Sequence, residues 1–150
     1  MIQIVKDTRP WFFLQTTHST YGMRVMETGH LEHLYYGERI TVDTQDSAFC
    51  APLVIQRAFA PGNTCTYDRE HPQISMEDVC LEVGTLGKGD IREPFLEVRF
   101  ADGSVTSDFT FDSYEVITLK EREQCLQDSG LPHSYSEAET DSAECLQIVL

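Results

Sequence analysis

Tyr21-Gly22-Met23-Arg24-Val25-Met26-Glu27-Thr28-Gly29-His30-Leu31-Glu32-His33-Leu34-Tyr35-Tyr36-Gly37 occupies residues 21–37. Tyr21, Met23 and Val25 fall on one side of an alternation and Arg24 on the other, which is the period of a strand with one buried face. Thr28-Gly29 supplies a turn, residues 31–36 run back as a second strand, and Gly37 closes it. Two β-prone runs about a glycine turn predict an antiparallel hairpin.

The pattern extends outward from there. Upstream, Trp11-Phe12-Phe13-Leu14-Gln15 is aromatic and β-prone, so the first forty residues read as strands, with a further short strand beginning at residues 40–42. Downstream, Leu96, Val98 and Phe100 alternate with Glu97 and Arg99. Asp102-Gly103 then gives a strong hairpin signal, and residues 105–111 are expected to return with Phe109 and Phe111 on one face. Residues 115–119 continue as a strand, and the chain ends on the alternation Leu146, Ile148, Leu150. The fold class expected is mainly β, an antiparallel β-sandwich. Between these blocks, Pro52, Pro61, Gly62, Pro72, Gly84, Gly87, Gly89 and Pro94 interrupt residues 43–94, which read as a long loop region with enough aromatic and apolar residues to be functional or an interface. An unpaired apolar strand at the chain end would invite aggregation, so this chain is expected to be the first part of a longer one.

Charge and composition exclude several function classes. The 150 residues carry 25 acidic and 11 basic side chains, a formal net charge of −14. That surface repels phosphate backbones, and the scattered Lys and Arg residues form no basic patch, so no nucleic-acid partner is expected. No stretch approaches the roughly 20 apolar residues of a membrane helix, and residues 1–10 lack the apolar run of a signal peptide. No membrane partner is therefore expected, and the expected location is cytoplasmic. Cys50, Cys65, Cys80, Cys125 and Cys145 are odd in number and contain no close pair, which argues for reduced thiols rather than a zinc site.

A search for chemistry finds little. His30 and His33 form H-x-x-H beside Glu32, but on a strand residues three apart face opposite ways. A hairpin residue and a packed or hydrogen-bonded histidine are the expected pair of roles, with no metal. There is no G-x-S-x-G, no Walker loop and no G-x-G-x-x-G. Asp43 with Asp46 and Glu77 with Asp78 are neighbours, yet glycosidase chemistry depends on the spatial separation of two carboxylates. The run Glu137, Glu139, Asp141, Glu144 reads as a solvated loop. No catalytic residue and no cofactor site are assigned.

Four blocks nevertheless resemble a known family. They are the hairpin segment from Gly29 to Gly37; Arg57-Ala58-Phe59-Ala60-Pro61 with Asp68-Arg69; Gly89-Asp90-Ile91-Arg92-Glu93-Pro94; and Leu131-Pro132 with Tyr135 and Glu137, followed by the final strand. In order and spacing they resemble the N-terminal domain of family 36 α-galactosidases. The resemblance implies that residues 1–150 form part of a larger N-terminal supersandwich, with the catalytic (β/α)8 barrel, which carries the two catalytic aspartates of a retaining mechanism, absent from this chain. It implies as partners the chain's own barrel domain, further copies in a homo-oligomer (a tetramer), and α-galactosides of the melibiose and raffinose type. It also implies that Phe59 and Arg69 bind substrate in a neighbouring subunit's active site. An aromatic ring stacks on a pyranose face, and a guanidinium donates forked hydrogen bonds to hydroxyls. Where some members carry an aspartate, this chain has Gln56. Three functions follow: a non-catalytic fragment of the glycosidase, a stand-alone carbohydrate-binding sandwich, or a structural assembly domain.

Overall fold

The computed structural model describes residues 1–54, 66–76, 79–87, 93–118, 121 and 144–150, together with the backbone of 89–90. Four strands, β1 (Ile2–Val5), β2 (Trp11–Gln15), β3 (Ser19–Val25) and β4 (Leu31–Glu38), form an antiparallel sheet in chain order. Two-residue strands β5 (Thr85–Leu86) and β6 (Gly89–Asp90) pair in parallel at Leu86↔Asp90. A separate antiparallel ladder joins β7 (Ser113–Thr118) to β8 (Glu144–Val149).

Adjacent phenylalanines in β2 reveal the layering. Successive strand side chains point to opposite faces, yet Phe12 and Phe13 are both 0% exposed, so both faces of the sheet are covered. On one face, Phe12, Val25 and Leu31 pack with Ile4, Leu14 and Met23, against Phe111 and Tyr114 and against Leu146 and Ile148 of β8. This is the sandwich contact, with the Phe12 and Tyr114 rings edge to face at 5.1 Å. On the other face, Val5 and Phe13 pack with Val42, Cys50, Phe49 and Leu53.

Those last residues belong to a short 3₁₀ helix, Ser47–Leu53, within the region expected to be irregular. Asp46 caps it by accepting a hydrogen bond from the Ala48 N–H at 2.8 Å, as an N-cap does. The turn holds Pro52, which in sequence reads as a breaker. Residues 40–42, expected to begin a strand, pair with nothing as a ladder; Val42 instead packs beneath Phe13.

A bulge sets the faces of β4. Gly22 pairs with Tyr35 but Met23 pairs with His33, leaving Leu34 as the extra residue. Side-chain period is two, so the extra residue flips everything beyond it. Leu31 thereby points into the Phe12 core, and Glu32 pairs with Arg24 at 2.6 Å, with the Arg24 guanidinium 5.1 Å from the Trp11 ring centre.

The expected hairpin at residues 95–111 is corrected by the structure. The turn forms, with Gly103 N–H donating to Phe100 O and Phe100 N–H donating to Ser104 O, both at 2.9 Å. Its arms form no ladder with each other. Phe95, Leu96 and Phe100 are 77%, 39% and 47% exposed, so the first arm lacks the buried face that its alternation suggested. The second arm is drawn to other partners: Thr85 Oγ1 donates to Ser107 O, and Phe111 N–H donates to Gly29 O.

Candidate functional site

The turn of the β3–β4 hairpin organises the polar cluster of greatest interest. Met26 N–H donates to His30 O, and Gly29, at φ +88°, donates its N–H to Met26 O. The left-handed backbone required there favours glycine. His30 follows at once, its side chain only 3% exposed, and both of its ring nitrogens are used. Nε2 lies 2.7 Å from Asp108 Oδ1 and Nδ1 lies 2.9 Å from Thr28 Oγ1. An imidazole that donates from Nε2 to the carboxylate can accept the Thr28 hydroxyl at Nδ1.

The second Asp108 oxygen accepts a hydrogen bond from the Tyr67 hydroxyl at 3.0 Å. The Tyr67 ring stands edge-on to His30, with centroids 4.9 Å apart and an interplanar angle of 86°. Burial, and after it the Asp108 hydrogen bond, push the Tyr67 hydroxyl up to about 12, so it is a donor at neutral pH.

Tyr67 opens a tight turn, closed by its own N–H donating to Ile74 O at 2.8 Å. Asp68 Oδ1 accepts from the N–H groups of Glu70 and His71 at 2.8 and 2.7 Å, and the His71 ring Nδ1 lies 2.9 Å from the same oxygen. That pattern is an Asx turn. The His71 hydrogen bond holds the Asp68 carboxyl below its usual range, and Asp68 in turn raises His71. Gln73 Nε2 donates to Glu27 Oε1 at 3.1 Å, a second tie to the β3–β4 turn.

Arg69 sits between Asp68 and Glu70 in this turn and is exposed. Among the described residues no ion pair engages its guanidinium. The arrangement therefore presents a fork of donors to solvent from an anchored backbone. Phe59 and Gln56 lie outside the described residues, as do Cys65, Cys125 and the acidic run at Glu137, Glu139 and Asp141.

The two histidines of H-x-x-H bond different carboxylates. His33 Nδ1 lies 3.1 Å from Glu82 Oε1, and Glu82 Oε2 accepts from the Tyr21 hydroxyl. With His33 N–H donating to Cys80 O and Glu82 N–H to Leu31 O, residues 80–82 cover part of the β4 edge. Among the described residues no group of three or more His, Cys, Asp or Glu side chains could hold a metal ion. Burial, and then the charges of Asp46 and Asp7, push the Cys50 thiol up to about 11, which leaves it protonated and unreactive at neutral pH. Among the described residues no helix is long and apolar enough to cross a membrane.

Sequence reasoning missed Tyr67, His71 and Asp108. The spacing Asp68-x-x-His71 is a legible turn signal, but Asp108 contacts His30 and Tyr67 only through the tertiary fold.

Comparison with known proteins gives a family match for most of the chain. Residues 29–150 match the family model described as the glycosyl hydrolase family 36 N-terminal domain. The chain is 34% identical over 152 aligned positions to a bifunctional α-galactosidase/sucrose kinase, AgaSK, of Mediterraneibacter gnavus, covering 100% of this chain and 15% of that protein. It is 30% identical over 139 positions to the α-galactosidase AgaA of Geobacillus stearothermophilus, covering 93% of this chain and 17% of that one. The solved galactosidase domain of AgaSK superposes with a TM-score of 0.70 at 29% identity, over 97% of this chain and 18% of that chain. The chain thus spans less than a fifth of the length of each of these relatives.

Proposed function

The chain belongs to the glycosyl hydrolase family 36 N-terminal domain family, and we propose that residues 1–150 are the non-catalytic first part of the N-terminal β-sandwich of a cytoplasmic, retaining α-galactosidase. The enzyme would remove terminal α-linked galactose from oligosaccharides of the melibiose and raffinose type. The observation that carries this reading is the alignment of the whole chain with 15% of a larger protein that is named as an α-galactosidase.

In this reading the catalytic carboxylates belong to a (β/α)8 barrel outside these residues. One carboxylate forms the covalent glycosyl intermediate and the other protonates the leaving group, then activates water. The sandwich supports that barrel, helps build the homo-oligomer, and lends Phe59 and Arg69 to the sugar site of a neighbouring subunit. The exposed Arg69 guanidinium, without an ion-pair partner among the described residues, supports its part in this. Guanidinium hydrogen bonds to hydroxyls are charge-assisted, so losing them is expected to weaken sugar binding about tenfold.

Steady-state kinetics of the full-length enzyme test the proposal. Arg69→Ala is expected to raise KM for raffinose about tenfold, with a smaller change in kcat and the oligomer intact. The isolated 150-residue chain is expected to leave p-nitrophenyl α-galactoside unhydrolysed. Hydrolysis by the isolated chain that disappears on mutating its own carboxylates would refute the non-catalytic assignment. An unchanged KM in Arg69→Ala would remove Arg69 from the sugar site. Saturable binding of raffinose by the isolated chain would favour a self-sufficient carbohydrate-binding module.

A further inference from the structure

Among the described residues, Arg69 is held in place through its neighbours. The local bonds of its turn, from Tyr67 N–H to Ile74 O and from Glu70 and His71 N–H to Asp68, shape residues 67–74. They do not fix that turn relative to the sandwich. Tyr67, two positions before Arg69, does so at one end of the turn, and the Gln73 hydrogen bond to Glu27 does so at the other. The Tyr67 hydroxyl bonds one oxygen of Asp108 while His30 takes the other, and the Tyr67 ring rests edge-on against His30. His30 is itself buried at the β3–β4 turn and bonded to Thr28. The Asp108 segment is stitched to the same turn where Phe111 N–H donates to Gly29 O at 2.8 Å.

Resting on the reading of Arg69 as a sugar contact, we infer that Tyr67, Asp108 and His30 are positioning residues for substrate recognition. They form a relay of hydrogen bonds that fixes the Arg69 backbone on the rigid hairpin turn. A long, flexible arginine binds more tightly when the backbone beneath it is already placed, because less freedom is lost on binding. A guanidinium fork must also meet its hydroxyls in register, so a small displacement of the turn is costly. Both oxygens of one carboxylate are committed, one to each side of the relay. The Tyr67 hydroxyl is therefore the link nearest Arg69, and its loss loosens that end of the turn while leaving the hairpin and the Gln73–Glu27 tie in place.

A double-mutant cycle in the full-length α-galactosidase tests this. Tyr67→Phe keeps the ring on His30 and removes only the hydroxyl. It is expected to raise KM for raffinose about three- to tenfold, more than it changes kcat. On an Arg69→Ala background it is expected to add nothing, because the two act through one contact. A Tyr67→Phe effect that persists without Arg69, or no effect where Arg69→Ala has one, overturns the positioning role. If Arg69→Ala itself leaves KM unchanged, the sugar-contact reading fails instead. The positioning then stands or falls on tryptic cleavage after Arg69 in the 150-residue chain. Cleavage severalfold faster in Tyr67→Phe, at an unchanged thermal midpoint, supports it; equal cleavage rates overturn it.

Discussion

Asp68 and His71 show how single side chains set the character of the Arg69 turn. His71 is raised from its ordinary 6.5 and Asp68 lowered from its ordinary 3.8, each mainly through the hydrogen bond between them. For the raised histidine, the contribution to the turn is complete below 6.5 and is lost as pH climbs through the higher folded value. For the lowered aspartate, it is complete above 3.8 and is lost as pH falls through the lower folded value. The pair thus holds the turn best between 3.8 and 6.5. Both groups are solvent-accessible, and salt weakens the effect. An NMR titration of the His71 ring is expected to give a midpoint above 6.5 that returns toward 6.5 in Asp68→Asn; a midpoint indifferent to Asp68→Asn would contradict the pairing. At this scale the sequence is only partly legible. Phe59 and Arg69 emerged as candidates through family resemblance, and Phe59 lies outside the described residues. His30 was readable as a bonded histidine. Its partner Asp108 is 78 positions away and Tyr67 is 41 positions from Asp108, separations at which spacing carries no information about contact.

Two turns illustrate what a short motif specifies about the elements around it. Met26-Glu27-Thr28-Gly29-His30 and Phe100-Ala101-Asp102-Gly103-Ser104 share the same hydrogen bonds and end in a glycine of positive φ, +88° and +87°. Each is a three-residue loop with glycine in the left-handed position. Glycine in the sequence predicts both turns, and correctly. It does not predict that the first joins an extended ladder while the second joins arms that leave for other partners. That outcome depends on which faces become buried: Leu31 and Val25 enter the core beside the first turn, whereas Phe100 and Leu96 stay exposed beside the second. The turns should also differ in their tolerance of alanine. Either substitution carries about 1–2 kcal/mol of left-handed backbone strain. At Gly29 a Cβ would in addition meet Thr110 Cβ at 3.1 Å, while at Gly103 nothing lies within 4 Å. Denaturant titration is expected to show Gly29→Ala costing more than Gly103→Ala. Equal losses would mean that Thr110 yields freely and that the docking of residues 110–111 on the hairpin turn is loose.

The whole molecule rests on a sheet with two different coverings, and Phe12 and Phe13 divide them. Alternation on β3 is legible because Tyr21, Met23 and Val25 share one face, and Met23 and Val25 enter the Phe12 core. The second covering is not, because the 3₁₀ turn of Ser47–Leu53 is too short to show helical periodicity and holds a proline. Truncating either phenylalanine to alanine removes a fully buried ring and is expected to cost about 3–5 kcal/mol, a large share of a typical domain's stability. The two losses should be felt in different places. Phe12 contacts Phe111 and Tyr114, the approach to and start of the β7–β8 layer, whereas Phe13 contacts Phe49 at 5.8 Å. Hydrogen exchange on each variant is expected to lower protection first in β7–β8 for Phe12→Ala. For Phe13→Ala the first loss is expected at Val54, whose N–H donates to Ala51 O. Uniform loss across all strands in both variants would show that the layers open only together. Separate loss would mean that the Phe13 layer governs where the chain stands at Val54, the last described residue before Phe59. The two coverings would then be independent parts of the fold, one resting on Phe12 and the other on Phe13, so that disturbing one would leave the other in place.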